Sequence, residues 1–329
     1  MAVSSDEFVK REIIQEVGDR VGPYTARVFS EGSDDDQKLF SNGGLTFTYQ
    51  GQDYGSCDCV YVEKINGTDK PILAIEGTDC LSRGSSGNAQ YQRFHHVLGA
   101  VKQGVFGIYY LRHGDHKVQP DLYGMAYRVG KTYKTPYLIV QDLSVIKDIL
   151  TLMTKGKAEL KAYVDEYQRK TFALYEDKFL KDYKNSWEKF AEKRSTVIFK
   201  DYVVKYSARN KLNFTDSAVR AGHIAVGEMF LTKYSFPDKT FFYLWPRMTS
   251  KEVAELDRDK SRDKEWQLLR REGNVVIKTI DDLIGLPNDL KLAFEEIKYS
   301  ALKGESVKKW NSSAKVLHAL IKSGKVKVK

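Results

Sequence analysis

Cysteine, proline and long apolar runs are all scarce in this chain, and each shortage excludes something. Three cysteines in 329 residues are an odd number, which rules out a fully paired disulfide framework and points to a reducing compartment. The expected location is therefore the cytoplasm. No apolar run approaches the roughly twenty residues that a membrane-spanning helix needs, and the first residues lack the apolar segment of a secretion signal. No membrane association is expected. The phosphate-cradling P-loop, the glycine fingerprint of dinucleotide binding, the HExxH zinc motif and the residue order of a Ser/His/Asp triad are also missing. No nucleotide cofactor is expected. Seven prolines are spread thinly, and neither an internal repeat nor a low-complexity block is present.

What remains is the composition of a water-soluble globular protein, 42% hydrophobic and 29% charged. At 329 residues the chain exceeds the usual size of one core, so one large or two modest domains are expected. Charge divides it unevenly. Residues 1–150 carry 16 Lys and Arg against 19 Asp and Glu, whereas residues 151–329 carry 37 against 25. A basic second half suits a polyanionic partner, because each phosphate contact releases counterions. The expected division is 1–155 and 156–329.

Periodicity supplies the elements. Phe8, Val9, Ile13, Val17 and Val21 form an apolar stripe on a helix from Ser4 to Val21, with Ser4 and Glu7 fitting a capping box. Strands are expected at Leu45–Tyr49, Val105–Leu111 and Tyr137–Asp142, and helices at Ala89–Gln103 and Ser144–Met153. That order describes an α/β fold, a mixed sheet flanked by helices. From Lys157 to Arg194, apolar residues at helical spacing within a charged sequence indicate one long helix or two shorter ones. Beyond it lie a strand at Thr240–Leu244, a charged helix at Lys251–Arg271 and a strand at Val275–Thr279. The second region is expected to be α+β and mostly helical.

The chemistry concentrates between Gly55 and Asp79. Cys57–Lys64 reads as a half-buried strand, Asn66-Gly67 as a tight turn, and Ile72–Thr78 as a nearly continuous apolar return strand opened by Pro71. That return strand ends in Glu76. A carboxylate on a buried strand is costly unless it is paired or bound to metal. With the turn centred near Gly67, Asp58 falls opposite Gly77, and Glu76 and Thr78 share the face that looks toward it. Two such carboxylates suit a hard divalent cation, Mg²⁺ foremost. The competing reading is a buried ion pair of Glu76 with Arg83 or Arg93.

Asp58, followed after a short hairpin by Glu76-Gly77-Thr78, resembles the metal site of the PD-(D/E)xK nucleases, the superfamily of most Type II restriction endonucleases. The resemblance covers about residues 5–115. It implies a restriction-endonuclease-like core in which Asp58 and Glu76 hold Mg²⁺, and cleavage of double-stranded DNA; the alternatives are a repair or defence nuclease of the same superfamily acting on other DNA structures, and a basic nucleic-acid-binding protein without catalysis. The chain departs from the pattern twice: Cys57 precedes Asp58 where proline is usual, and Thr78 stands where lysine is usual. Thr78 can orient a water but cannot act as a cation. By the same analogy, Glu12 or Glu16 on the first helix would be the carboxylate for a second ion. One active site per chain and two strands to cut imply a homodimer.

The segment that follows, Ser82 to Arg93, gathers side chains that bind phosphates and read base edges. Arg83, Ser85, Ser86, Asn88, Gln92 and Arg93 are the candidate DNA contacts. Cys57 and Cys59 flank Asp58 on the opposite face and read as buried thiols rather than zinc ligands. His95-His96 reads as helix packing or surface. Gly107–Leu111 superficially resembles the start of a GIY-YIG nuclease motif, whose second half is missing.

Overall fold

In the computed structural model, the described residues are 5–28, 45–80, 90, 93–112, 121–174, 178–185, 196–206, 232–245, 249–251, 254, 264–279, 281–288, 290–292 and 322–324. The chain divides into two compact units, Met1–Asp177 and Lys178–Lys329.

The first unit opens with helix α1, Ser5–Val17. It ends four residues before the expected stop because Gly18 takes φ +104° and returns its N–H to the Ile14 carbonyl, closing the helix. Val21 therefore belongs to strand β1, Arg20–Val21, which pairs with β2, Tyr24–Val28. Strands β3, Thr46–Tyr49, and β4, Gln52–Ser56, form a separate ribbon. The hairpin β5, Cys59–Ile65, and β6, Thr68–Asp79, follows. Next come α2, Phe94–Lys102, β7, Phe106–Arg112, and α3, Asp121–Tyr133. The unit finishes with β8, Tyr137–Val140, α4, Leu143–Lys155, and α5, Lys157–Leu174.

The main sheet runs β1-β2-β5-β6-β7-β8, antiparallel as far as β6 and parallel from β6 to β8. The α/β class and the mixed sheet flanked by helices are thus observed. One sheet face packs Tyr61, Leu73, Ile75, Ile108, Tyr110 and Leu138 against Ile13 and Val17 of α1, Ile146, Ile149 and Leu150 of α4, and Val164 of α5. Packing Val164 into this core puts α5 with the first compact unit, which extends to Asp177. The other face receives α2, which approaches so closely that a Cβ on Gly107 would meet Val97 and Val101.

The second unit begins with α6, Lys178–Asn185. Its strands are β9, Thr196–Ile198, β10, Tyr202–Tyr206, β11, Thr240–Trp245, and, after helix α7, Lys264–Arg271, β12, Val275–Thr279. They order β12-β11-β10-β9, with only β9 antiparallel. Among the described residues this sheet, rather than helices, is the framework of the unit. Also among the described residues, no helix is long and apolar enough to cross a membrane.

Candidate metal centre

The hairpin that carries the acids is built by its turn and by one irregularity. Asn66 and Gly67 take φ of 51° and 81°, a two-residue loop that sets Ile65 opposite Thr68. In that register alone, Asp58 would fall opposite Ile75, and Glu76 would point to the other face. The register shifts between Tyr61 and Val62, where Pro71 and then Leu73 are the partners, leaving Ile72 as the extra residue. The last pair becomes Cys59 with Ile75, so Asp58 arrives beside Glu76 and on its face. This corrects the expected placement opposite Gly77 by one residue, and Pro71 lies at the shift rather than at the start of the strand. Pro71 is tolerated there because β7 joins β6 only from Leu73 onward.

Both carboxylates are buried: the Glu76 side chain is 1% exposed and that of Asp58 8%. The Gly77 N–H donates to Asp58 Oδ2 at 2.8 Å, which fixes the carboxylate against the end of β6. Burial and then the charge of Glu76 push Asp58 up to about 8, against the opposing pull of the Gly77 N–H, Arg93 and Lys10. A buried acid with so high a pKa needs positive charge before it can ionise at neutral pH. Thr78, also buried, shares a hydrogen bond of 2.9 Å with the Tyr109 hydroxyl. Its hydroxyl is thereby oriented on the Glu76 face of the sheet.

Three basic side chains face this pair. From α2, Arg93 Nη1 lies 3.4 Å from Glu76 Oε1 and 3.5 Å from the Gly77 carbonyl oxygen. His96 Nδ1 lies 3.2 Å from the same Glu76 oxygen. From α1, on the other side of the sheet, Lys10 Nζ stands 4.0 Å from Asp58 Oδ1. The Arg93 contact is the ion-pair alternative, in a long and half-exposed form. The sequence places His96 in helix packing or at the surface, and its ring does pack: it fills the space that a Cβ on Gly55 would need, 2.5 Å from Cδ2. Gly55 at φ +96° is the local sequence signal that something lies close to its backbone. Lys10 also left a signal. It falls three residues before Ile13 and seven before Val17, in phase with the buried stripe of α1.

Other expected participants are placed elsewhere. Glu12 does not face the pair: it accepts from Arg112 Nε at 2.6 Å and from Tyr110 Oη at 3.3 Å. Arg112 also donates to Asp79 at 3.0 Å, so it ties α1 to the end of β6. Glu16 is exposed on α1. The bonds to Arg112 and Tyr110 remove Glu12 as the carboxylate for a second ion. Arg83, Ser85, Ser86, Asn88 and Gln92 lie outside the described residues. Cys57, Cys59 and Cys80 are buried free thiols, and burial raises the pKa of Cys57 and Cys59 far from the thiolate range. Among the described residues no three His, Cys, Asp or Glu side chains form a cage for a metal ion.

Two hard oxygen donors therefore define the site. They fit a Mg²⁺-class ion, which is commonly held by one or two carboxylates and completed by water and substrate phosphate. They do not fit zinc, which takes three or four nitrogen or sulfur-rich protein ligands. No family model and no curated protein matches the chain.

Proposed function

We propose that this chain is a Mg²⁺-dependent endonuclease of the restriction-enzyme type, hydrolysing phosphodiester bonds in double-stranded DNA. The observation that carries the reading is the burial of Asp58 beside Glu76, with Asp58 held by the Gly77 N–H and its pKa raised to about 8. An electrostatic arrangement this unfavourable is what a divalent cation relieves. A bound ion would neutralise phosphate charge and lower the pKa of an attacking water.

The chain's own residues then divide the work. Asp58 and Glu76 hold the ion at the end of β6. Thr78, its hydroxyl set by Tyr109, orients a water beside Glu76. Arg93 stands where a phosphate on the Glu76 side would meet a guanidinium. Residues 83–92 and the basic region 156–329 supply the remaining DNA contacts, and two copies acting together cut both strands. The cytoplasm is the matching compartment.

Incubating supercoiled plasmid with the purified chain tests this. Mg²⁺ should yield discrete fragments, and EDTA should suppress them. Asp58→Ala and Glu76→Ala should lose cleavage while retaining DNA binding. The Arg93–Glu76 contact favours a second reading, a nucleic-acid-binding protein in which Glu76 is structural. Plasmid that is bound but left intact with Mg²⁺ would establish it.

A further inference from the structure

Where the end of α3, the approach to β8 and the first turns of α5 meet, they leave a recess of about 400 Å³ lined by four lysines. We propose that it binds a nucleoside diphosphate, its phosphates held by these ammonium groups and its base by the apolar part of the lining. This is a second site, independent of the nuclease reading. Glu76 of β6 lies level with Ile139 of β8 and two strands away from it. The recess meets the chain ahead of β8, at Thr135 and Pro136, so a ligand held there stands apart from the metal centre.

Charge is the first support. Lys131, Lys134, Lys157 and Lys161 meet a single carboxylate in the lining, Asp165, which is paired with Lys161. Lys131 lies over the Tyr127 ring, 5.2 Å from its centroid. Among the described residues, neither Lys134 nor Lys157 has an ion-pair partner. The surplus of three positive charges matches the roughly three negative charges of a nucleoside diphosphate at neutral pH.

Placement is the second. Lys134 takes φ +54°, the left-handed position just past α3 where glycine is usual. The helix closes there, with the Thr135 N–H donating to the Gly130 carbonyl. Lys157 opens α5, where a cation opposes the helix dipole. Both charges are thus kept against local backbone preference, and both line the same recess.

Shape is the third. Tyr127, Pro136, Leu160 and Val164 share the lining. A bare phosphate would leave this apolar surface in water, whereas a planar base would cover it. Gln168, whose amide makes no hydrogen bond among the described residues, offers a donor and an acceptor to the base edge. The volume falls in the range of small-molecule sites, about 300 to 1,000 Å³. The missing P-loop excludes only a cradle of loop N–H groups, and here side-chain ammoniums take that part.

The test is calorimetric titration of the full chain in EDTA with ADP, GDP, CDP and UDP, and with pyrophosphate as the bare anion. At least one diphosphate should bind more tightly than about 1 mM, and pyrophosphate about tenfold more weakly still or worse. Lys134→Gly and Lys157→Gln together should cost at least about tenfold in affinity. Glycine suits the left-handed position, so this variant should unfold at no lower urea than wild type. Should it fail to fold, Lys157→Gln alone, at an exposed position, should cost about threefold or more. Absence of binding by all four diphosphates overturns the proposal. So does pyrophosphate bound as tightly as the best of them, which makes the recess a plain anion patch. Unchanged affinity in the variants places the ligand elsewhere and overturns it too. A short DNA duplex that displaces the diphosphate and weakens in parallel in the variants assigns the lysines to DNA instead.

Discussion

Two acidic pairs each have one member on β6, Glu76 and Asp79 three residues apart, and they are satisfied in opposite ways. Glu12 and Asp79 share one guanidinium, with Arg112 donating to both at 2.6 and 3.0 Å. Asp58 and Glu76 lie deeper and repel one another; the Gly77 N–H reaches Asp58 at 2.8 Å, and Lys10, Arg93 and His96 stand at 3.2 to 4.0 Å from the pair. The first pair is a finished structural clamp between α1 and β6. The second sets two buried carboxylates against each other, and it is the second that a divalent ion would complete. On the proposed reading, the contrast separates acid that builds the fold from acid that is kept for chemistry.

The largest effect that could break this comparison concerns activity. Glu76→Ala should reduce plasmid cleavage by roughly a thousandfold, whereas Asp79→Asn should leave kcat within about tenfold of wild type. Equal losses would mean that the two pairs do not differ in kind. For stability the order reverses. Arg112→Ala leaves two carboxylates without their charge-assisted bonds and should lower urea-unfolding stability by about 2 kcal/mol. Asp58→Asn keeps an acceptor for the Gly77 N–H and removes a costly charge. Above pH 8 and without metal it should stabilise the chain, on the order of 1 kcal/mol.

The pH dependence follows from the same residue. Asp58 titrates near 8 in the folded chain and in the ordinary carboxylate range when unfolded. Between those values the folded state holds more protons, so metal-free stability should fall as pH rises through that window. Asp58→Asn should flatten the decline in thermal melts recorded across it. The smallest effect is expected at Thr78. Thr78→Val loses the bond to Tyr109 and should cost about 1 kcal/mol, read by urea unfolding.

Much of this was legible in the residues. The hairpin, the strand at Val105–Leu111 and the helix at Ser144–Met153 follow from turn chemistry and apolar periodicity, and the structure shows each within a few residues. The helix Asp121–Tyr133 gave no such signal, because Gly124 and Gly130 dilute its pattern. The burial of Asp58 and Glu76 was readable because a carboxylate on an apolar strand demands an explanation. Their register was not, since the irregularity at Ile72 depends on how β7 and Pro71 share β6, which local pattern does not encode. Lys10 and His96 were missed for a different reason. Each comes from a helix distant in sequence, and only packing brings them to the acids.

The central claim is that Asp58 and Glu76 hold a divalent ion, and proton-counted calorimetry tests it most directly. Mn²⁺ is titrated into the metal-free chain at pH 7 in buffers of different ionisation enthalpy. Binding to the wild type should release about one proton per ion, the proton held by Asp58, and Asp58→Asn should release almost none. Absence of Mn²⁺ binding to the wild type, or the same proton release from Asp58→Asn, would contradict the account.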